Sequence, residues 1–355
     1  MSAPQAGAPG AWGSCPVPIA THTEVLLGHG SGGKLTADLV EKLFVPAFRN
    51  PHLEKLDDQA VLAVNGTRLA FTTDSFVVTP IFFPGGDIGR LAVNGTVNDL
   101  AMSGARPLYL SAAFILEEGL PFPDLERIVR SMAEACAATG VMLVTGDTKV
   151  VNRGSGDKVF INTSGIGVLE RDMTLSADQA QVGDKIILSG TVADHGMAIM
   201  TTREGLELET EILSDTAPLH GLVDAILEVT SGIRCLRDPT RGGVATTLNE
   251  IARRSTVGIE VHERAIPIRE DVKGACELLG LDPLYVANEG KLVAIVDPAD
   301  AERVVARMRE HRDGKEAQII GEVVAEHPRM VVMRTGIGGA RIVDLLTGEQ
   351  LPRIC

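Results

Sequence analysis

Cysteine is scarce and scattered in this 355-residue chain. Cys15, Cys136, Cys235, Cys276 and Cys355 are odd in number and form no C-x-x-C pair. That spacing excludes a disulfide framework and a zinc site, and it fits the reducing cytoplasm. Lysine and arginine are absent before Lys34. Met1–His22 therefore lacks the charged start of a secretory signal, and it has no long apolar core. Residues 1–23 read as a disordered Ala/Gly/Pro lead-in. No apolar run reaches the length of a membrane span. Positive charge is in deficit overall: the net charge of −14 argues against nucleic acid or an anionic membrane as the main partner. Aromatic residues make up only 3% of the chain, against 38 glycines, a balance that predicts many tight turns and close backbone approaches.

Apolar residues are plentiful, at 45%, and the length suits two domains. His29–Gly33 reads as a loop before a helix that carries Leu35, Leu39 and Leu43 on one face. Val61–Val64 and Arg68–Asp74 are predicted strands joined by Asn65-Gly66, a hairpin turn. A helix is expected between Gly89 and Gly104, a strand over Tyr109–Leu116, and a helix bearing Leu125, Ile128, Met132 and Cys136, with Cys136 in the core. Val141–Thr145 and Phe160–Val168 read as strands. A polar stretch, Glu170–Asp184, places a domain boundary near Val182. Beyond it, helices around Met197, Leu222, Ala245, Ala275 and Val304 alternate with strands at Lys185–Ser189, Ile259–His262, Leu292–Val296, Ala317–Val324 and Met330–Arg334. The expected organisation is 24–181, 182–343 and a tail, 344–355.

Four acidic segments are expected at strand or helix ends: Asp57-Asp58, Thr73-Asp74-Ser75, Asn98-Asp99 and Gly146-Asp147-Thr148-Lys149. An aspartate in such a place is commonly a turn former or cap. Several in one domain could instead converge on Mg²⁺, which takes oxygen ligands from a few carboxylates and substrate phosphates. Lys149 lies between apolar runs, so it either snorkels or serves a site as phosphate binder or base. Gly32 and Gly33, before a helix, could cradle phosphate with backbone amides or could simply form a mobile loop. Arg237-Asp238-Pro239-Thr240-Arg241-Gly242-Gly243, also before a helix, could bind an anion. Glu289 is either a general base before a strand or part of an ordinary surface turn. His195, at a helix start, reads as structural.

Cys355 ends the chain, behind Gly348 and Pro352. A terminal thiol is badly placed for a buried hydrophobe. About ten extended residues sweep roughly 30–35 Å, far enough to carry a thiol into a site or to a partner.

These strings together resemble the HypE family of hydrogenase maturation factors, the carbamoyl dehydratases. Gly28–Gly33, Thr72–Val77, Phe82–Gly89, Thr145–Val151, Arg237–Gly243, Ala287–Lys291 and the terminal Pro352-Arg353-Ile354-Cys355 carry the resemblance, which runs from about Glu24 to Cys355. It implies an α/β (α+β), two-domain fold like aminoimidazole ribonucleotide synthetase, a homodimer sharing a β-barrel, and ATP sites near the interface. It implies that the carbamoyltransferase HypF loads a carboxamide onto Cys355. ATP with Mg²⁺ then drives dehydration to a thiocyanate, and cyanide passes to iron on the HypC–HypD scaffold. On this resemblance Asp58, Asp74, Asp99 and Asp147 fall in the metal and nucleotide region, with Thr148, Gly32, Gly33 and Asp238 beside the nucleotide, and Lys149 and Glu289 contact the carboxamide. Two rivals remain: a selenophosphate-synthetase-like enzyme, which would carry a reactive residue beside its glycine loop where His29–Gly33 has none, and a non-catalytic thiol carrier.

Overall fold

A computed structural model describes residues 24–206, 209–346, 348, 351 and 353–355; the expected disordered lead-in, 1–23, lies outside them. The chain opens with α1 (Lys34–Leu39), which runs through a π-helical turn, Val40–Phe44, into α2 (Val45–Ala47). β1 (Ala60–Val64) and β2 (Thr67–Phe76) pair as a hairpin. Asn65 and Gly66 both take positive φ at its turn, the conformation that an Asn-Gly pair adopts most easily. A two-residue ribbon, β3 (Phe82–Phe83) with β4 (Gly86–Asp87), leads to α3 (Ile88–Met102), capped by the Asp87 carboxylate. β5 (Arg106–Glu117), α4 (Phe122–Thr139), β6 (Met142–Val151) and β7 (Val159–Val168) complete the first half.

The first sheet runs β1-β2-β7-β5-β6, antiparallel except for the parallel pair β5–β6. One face is covered by α3 and α4, and the core there includes Phe76, Leu91, Val97, Leu110, Ile128 and Ile161. The other face is open. Phe71, Tyr109, Ile115, Leu143 and Ile166 are all exposed large apolar residues. β6 is the sheet edge, and nine of its ten residues are exposed.

The second half contains β8 (Lys185–Leu188), α5 (Asp194–Glu204), α6 (His220–Val229), β9 (Ile233–Arg237), α7 (Gly243–Ser255), β10 (Gly258–His262), α8 (Glu270–Leu279), β11 (Val293–Val296), α9 (Ala301–Glu310), β12 (Gln318–Val324), β13 (Val331–Arg334) and β14 (Ala340–Val343). Its sheet runs β14-β13-β10-β12-β8-β11-β9. Apolar side chains of α7 cover one face, and those of α6 and α9 the other. The strands β8 and β11, central to the sheet, are accordingly apolar throughout except at Lys185, as burial on both faces requires.

The two halves meet along α3. Met102 joins the core formed by α6 and α9. Asn98 donates to the carbonyls of Ala217 (3.1 Å) and Glu289 (3.4 Å), and its side-chain oxygen accepts the Leu219 N–H at 2.8 Å. An amide side chain thus satisfies three backbone groups across the junction, where burial would otherwise leave them unpaired.

Candidate active site

Asp58, Asp74, Asp99 and Asp238 line one cleft of about 420 Å³, with His29, Gly30 and Gly32 of the glycine loop on its rim. That volume falls in the range of small-molecule sites. Asp58 comes from the loop before β1, Asp74 from within β2, Asp99 from within α3 and Asp238 from the end of β9. The expectation of strand and helix ends thus fails for Asp74 and Asp99: both sit inside their elements, brought to the cleft because α3 crosses the face of β2.

The cleft is electrostatically frustrated. Burial holds the Asp99 carboxyl well above the usual range, and Asp238, Asp74 and Asp58 add repulsion. Burial likewise raises Asp58, against the Arg237 guanidinium 2.9 Å away. Asp238 is pushed up to about 6, chiefly by burial. Asp58 Oδ2 is buried without a hydrogen-bond partner, and such an atom calls for a ligand. Among the described residues no three carboxylate, histidine or cysteine side chains stand in a preformed metal cage. Mg²⁺ needs none, since it binds through one or two carboxylates, phosphate oxygens and water. The hard oxygen donors present suit that ion.

The glycine loop is shaped by contact. A side chain at Gly32, whose φ is +77°, would place its Cβ 2.5 Å from the Arg241 carbonyl oxygen, and one at Gly33 would meet the Leu346 carbonyl oxygen at 2.7 Å. Gly32 is thereby held against the segment that starts α7. The anion-binding expectation for that segment's two arginines divides. Arg237 is partly buried and committed to Asp58 and to Glu250 at 2.7 Å. Arg241 faces Asp74 at 3.7 Å and borders both this cleft and a second, smaller one that holds the tail.

The tail is docked there. The Val77 N–H donates to the Cys355 main-chain oxygen (3.1 Å) and the Thr79 N–H to the Arg353 carbonyl (3.2 Å), so the last residues lie antiparallel to 77–79. The Ile354 side chain is buried in the first core. The Cys355 thiol faces Glu289, and its pKa is well above the ordinary value, first through burial and then through that carboxyl, with Arg241 opposing. Glu289 is only 4% exposed, which rejects the surface turn. Burial lifts its pKa well above the usual value, and Asp74 and Asp238 add to the shift. Its N–H donates to Asp215 at 3.1 Å, which Lys291 pairs at 3.1 Å. Oε1 of Glu289 is buried and unpartnered.

Asp147, Thr148 and Lys149 are not brought to this place. They lie mid-strand in β6, at the exposed sheet edge. Among the described residues Lys149 pairs only with Asp147, at 3.1 Å, and both are mostly exposed. Of the two readings of Lys149, neither burial in a site nor snorkelling over apolar surface describes a single copy of the chain. Sequence reasoning missed Asn98, Asp215 and Lys291 as supports of Glu289. Asp215 lies in an irregular polar stretch with no period to place it.

The chain matches the model for the AIR synthase related protein N-terminal domain over residues 56–169 and that for the C-terminal domain over 181–333. It is 59% identical to the carbamoyl dehydratase HypE of Azotobacter vinelandii over 327 residues, which is 92% of this chain and 96% of that protein. The chain belongs to the HypE family. Among solved structures, a HypE in complex with ATP is 51% identical with a TM-score of 0.79, over 94% of this chain and all of that one. A HypE–HypF complex gives 51% identity and a TM-score of 0.83, over 87% of this chain and 99% of that one. The AIR-synthase-like fold expected from the sequence is therefore the fold observed, in the family that the glycine, aspartate and terminal-cysteine strings resemble.

Proposed function

We propose that this chain is an ATP-dependent carbamoyl dehydratase that acts on its own C-terminus, converting a carboxamide on Cys355 to a thiocyanate for hydrogenase maturation. The observation that carries this reading is the docking of Cys355 against Glu289, with Arg241 joining the thiol to the acidic cleft. Family membership supports it, as does the HypE relative bound to ATP.

The balance is R–S–C(=O)NH₂ + ATP → R–S–C≡N + ADP + phosphate + H⁺. The amide oxygen leaves in the phosphate, and the nitrogen gives up two protons. Nucleotide, when bound, would supply the phosphoryl group that makes the amide oxygen a leaving group, and Mg²⁺ would screen its charge. Asp58, Asp99 and Asp238 are the residues that would hold the ion, with Asp74 beside them, and the amides around Gly32 and Gly33 are placed to meet phosphate. Glu289 takes a proton from the carboxamide nitrogen. Its raised pKa makes the ionised form a stronger base than an ordinary carboxylate. Arg241 sits where negative charge develops between the nucleotide and the thiol-bound group.

The open apolar face of the first sheet and the exposed β6 edge suit a homodimer in which Asp147, Thr148 and Lys149 complete the partner's site. HypF is the expected source of the carboxamide, as a relative is known in complex with it, and the HypC–HypD scaffold the acceptor of cyanide. To be loaded, the tail (344–355) must leave its dock, so residues 24–181 and 182–343 work as the fixed body. All four described cysteines are free, in keeping with the cytoplasm. The test is Cys355→Ala. It should bind ATP as the native chain does and accept no carboxamide. A carboxamide adduct on that variant would end this reading.

A further inference from the structure

The His195 imidazole has no part in the chemistry above, yet it is fully buried at the second residue of α5. It meets the Phe83 ring edge-on, with centroids 5.5 Å apart. Its Nε2 lies 2.7 Å from the Ile354 carbonyl oxygen, and its Nδ1 lies 2.8 Å from Ser214 Oγ. A carbonyl only accepts, so Nε2 carries the proton and Nδ1 accepts from the Ser214 hydroxyl. Ser214 Oγ in turn accepts the Thr216 N–H at 3.2 Å. At the far end of the same helix, Arg203 donates to the Arg353 carbonyl at 2.8 Å and to the Thr79 carbonyl at 2.7 Å. Two side chains of α5 thus claim two consecutive tail carbonyls, one on each side of the strand pairing to 77–79.

We infer that His195 is a positioning residue: its Nε2–H on the Ile354 carbonyl, together with Arg203 on the Arg353 carbonyl, latches the docked tail so that the Cys355 sulfur stands at Glu289. The role in dehydration rests on the function proposed above; the latch itself does not. Both contacts go to main-chain atoms, so the latch is indifferent to what the sulfur carries. It can hold the free thiol, the carboxamide and the thiocyanate alike. Because the grip is on the chain's last peptide carbonyls, small errors there move the sulfur directly, and misplacement of reacting groups is costly.

His195→Leu removes the donor while keeping an apolar filler, and His195→Gln keeps a donor. Each full-length variant is first checked by thermal melting and nucleotide binding. With iodoacetamide as probe, His195→Leu should alkylate Cys355 about tenfold faster, the effect of one lost buried hydrogen bond. Single-turnover dehydration of the loaded chain should slow by a similar factor, and His195→Gln should recover most of both. If His195→Leu does not fold, Arg203→Met carries the same readouts and the same expected directions. A folded variant with native alkylation and dehydration rates overturns the latch. So does slow dehydration with unchanged alkylation and no rescue by Gln. Should the native chain itself form no thiocyanate, the proposed function fails, while alkylation still decides the latch.

Discussion

Ile354→Ala separates a docked tail from a core strand. Ile354 is 4% exposed and packs in the cluster that contains Phe76, Val78, Ile81, Phe83 and Ile199. The substitution removes three carbons at about 0.8 kcal/mol each, roughly 2.4 kcal/mol of burial. Were this loss felt by the whole fold, it would lower the melting temperature by several degrees, as a core truncation does. The tail, however, joins the body through an isolated bridge to 77–79 and side-chain contacts from His195 and Arg203, not through a continuous strand ladder, so the loss should fall on docking alone. The docked-to-free ratio then falls roughly 60-fold. Alkylation of Cys355 measures that ratio directly, because the docked thiol is held protonated by burial and by Glu289 and the thiolate is the reactive form. The expected result is a large rise in alkylation rate, up to that of a free tail, with an almost unchanged melting temperature. Native alkylation with a melting temperature several degrees lower would refute the reasoning and make the tail part of the cooperative core.

Two further tests address the body. If Lys149 completes the partner's site while Glu289 serves its own, Lys149→Ala and Glu289→Ala chains should each fail to dehydrate. Mixed in equal amounts, they should then regain roughly a quarter of native activity, from one intact site in each mixed dimer; no recovery would put both residues in one chain's site. Away from the cleft, burial pushes the Asp194 carboxyl up to about 6. The native state therefore binds this proton more tightly than the unfolded chain, and stability falls as pH rises from below 4 to above 6, by about 3 kcal/mol. Asp194→Asn removes that slope, so urea denaturation should show the variant gaining on the native chain between about pH 3.5 and pH 7.5. Parallel pH profiles would contradict it.

Much of the fold was legible because its signals are local. Asn65-Gly66 fixed one hairpin, the stripe from Leu125 to Cys136 gave α4, and the apolar runs at Ile186 and Val293 gave central strands. β9 and β14 were missed: Ile233–Arg237 is short and its apolar run is broken by Arg234, and Ala340–Val343 is a short edge that takes its order from β13. The site was legible by residue type but not by placement. Asp58, Asp74, Asp99, Asp238 and Glu289 do gather, through the crossing of α3 over β2 and its junction with the second half, which no local pattern encodes. Asp147 to Lys149 read as part of the same group because of their sequence alone; in one chain β6 carries them to the outer edge. His195 looked structural and is so, but what it structures is the tail. Cys355 is fixed by contacts of its neighbours with the body, a restraint that sequence could not show.

The measurement that bears most directly on the account is the intact mass of the chain after incubation with carbamoyl phosphate and HypF, with and without ATP. The account predicts a single carboxamide at Cys355 that persists without ATP and loses the elements of one water when ATP is added. An adduct at another residue, or a carboxamide unchanged by ATP, would contradict it.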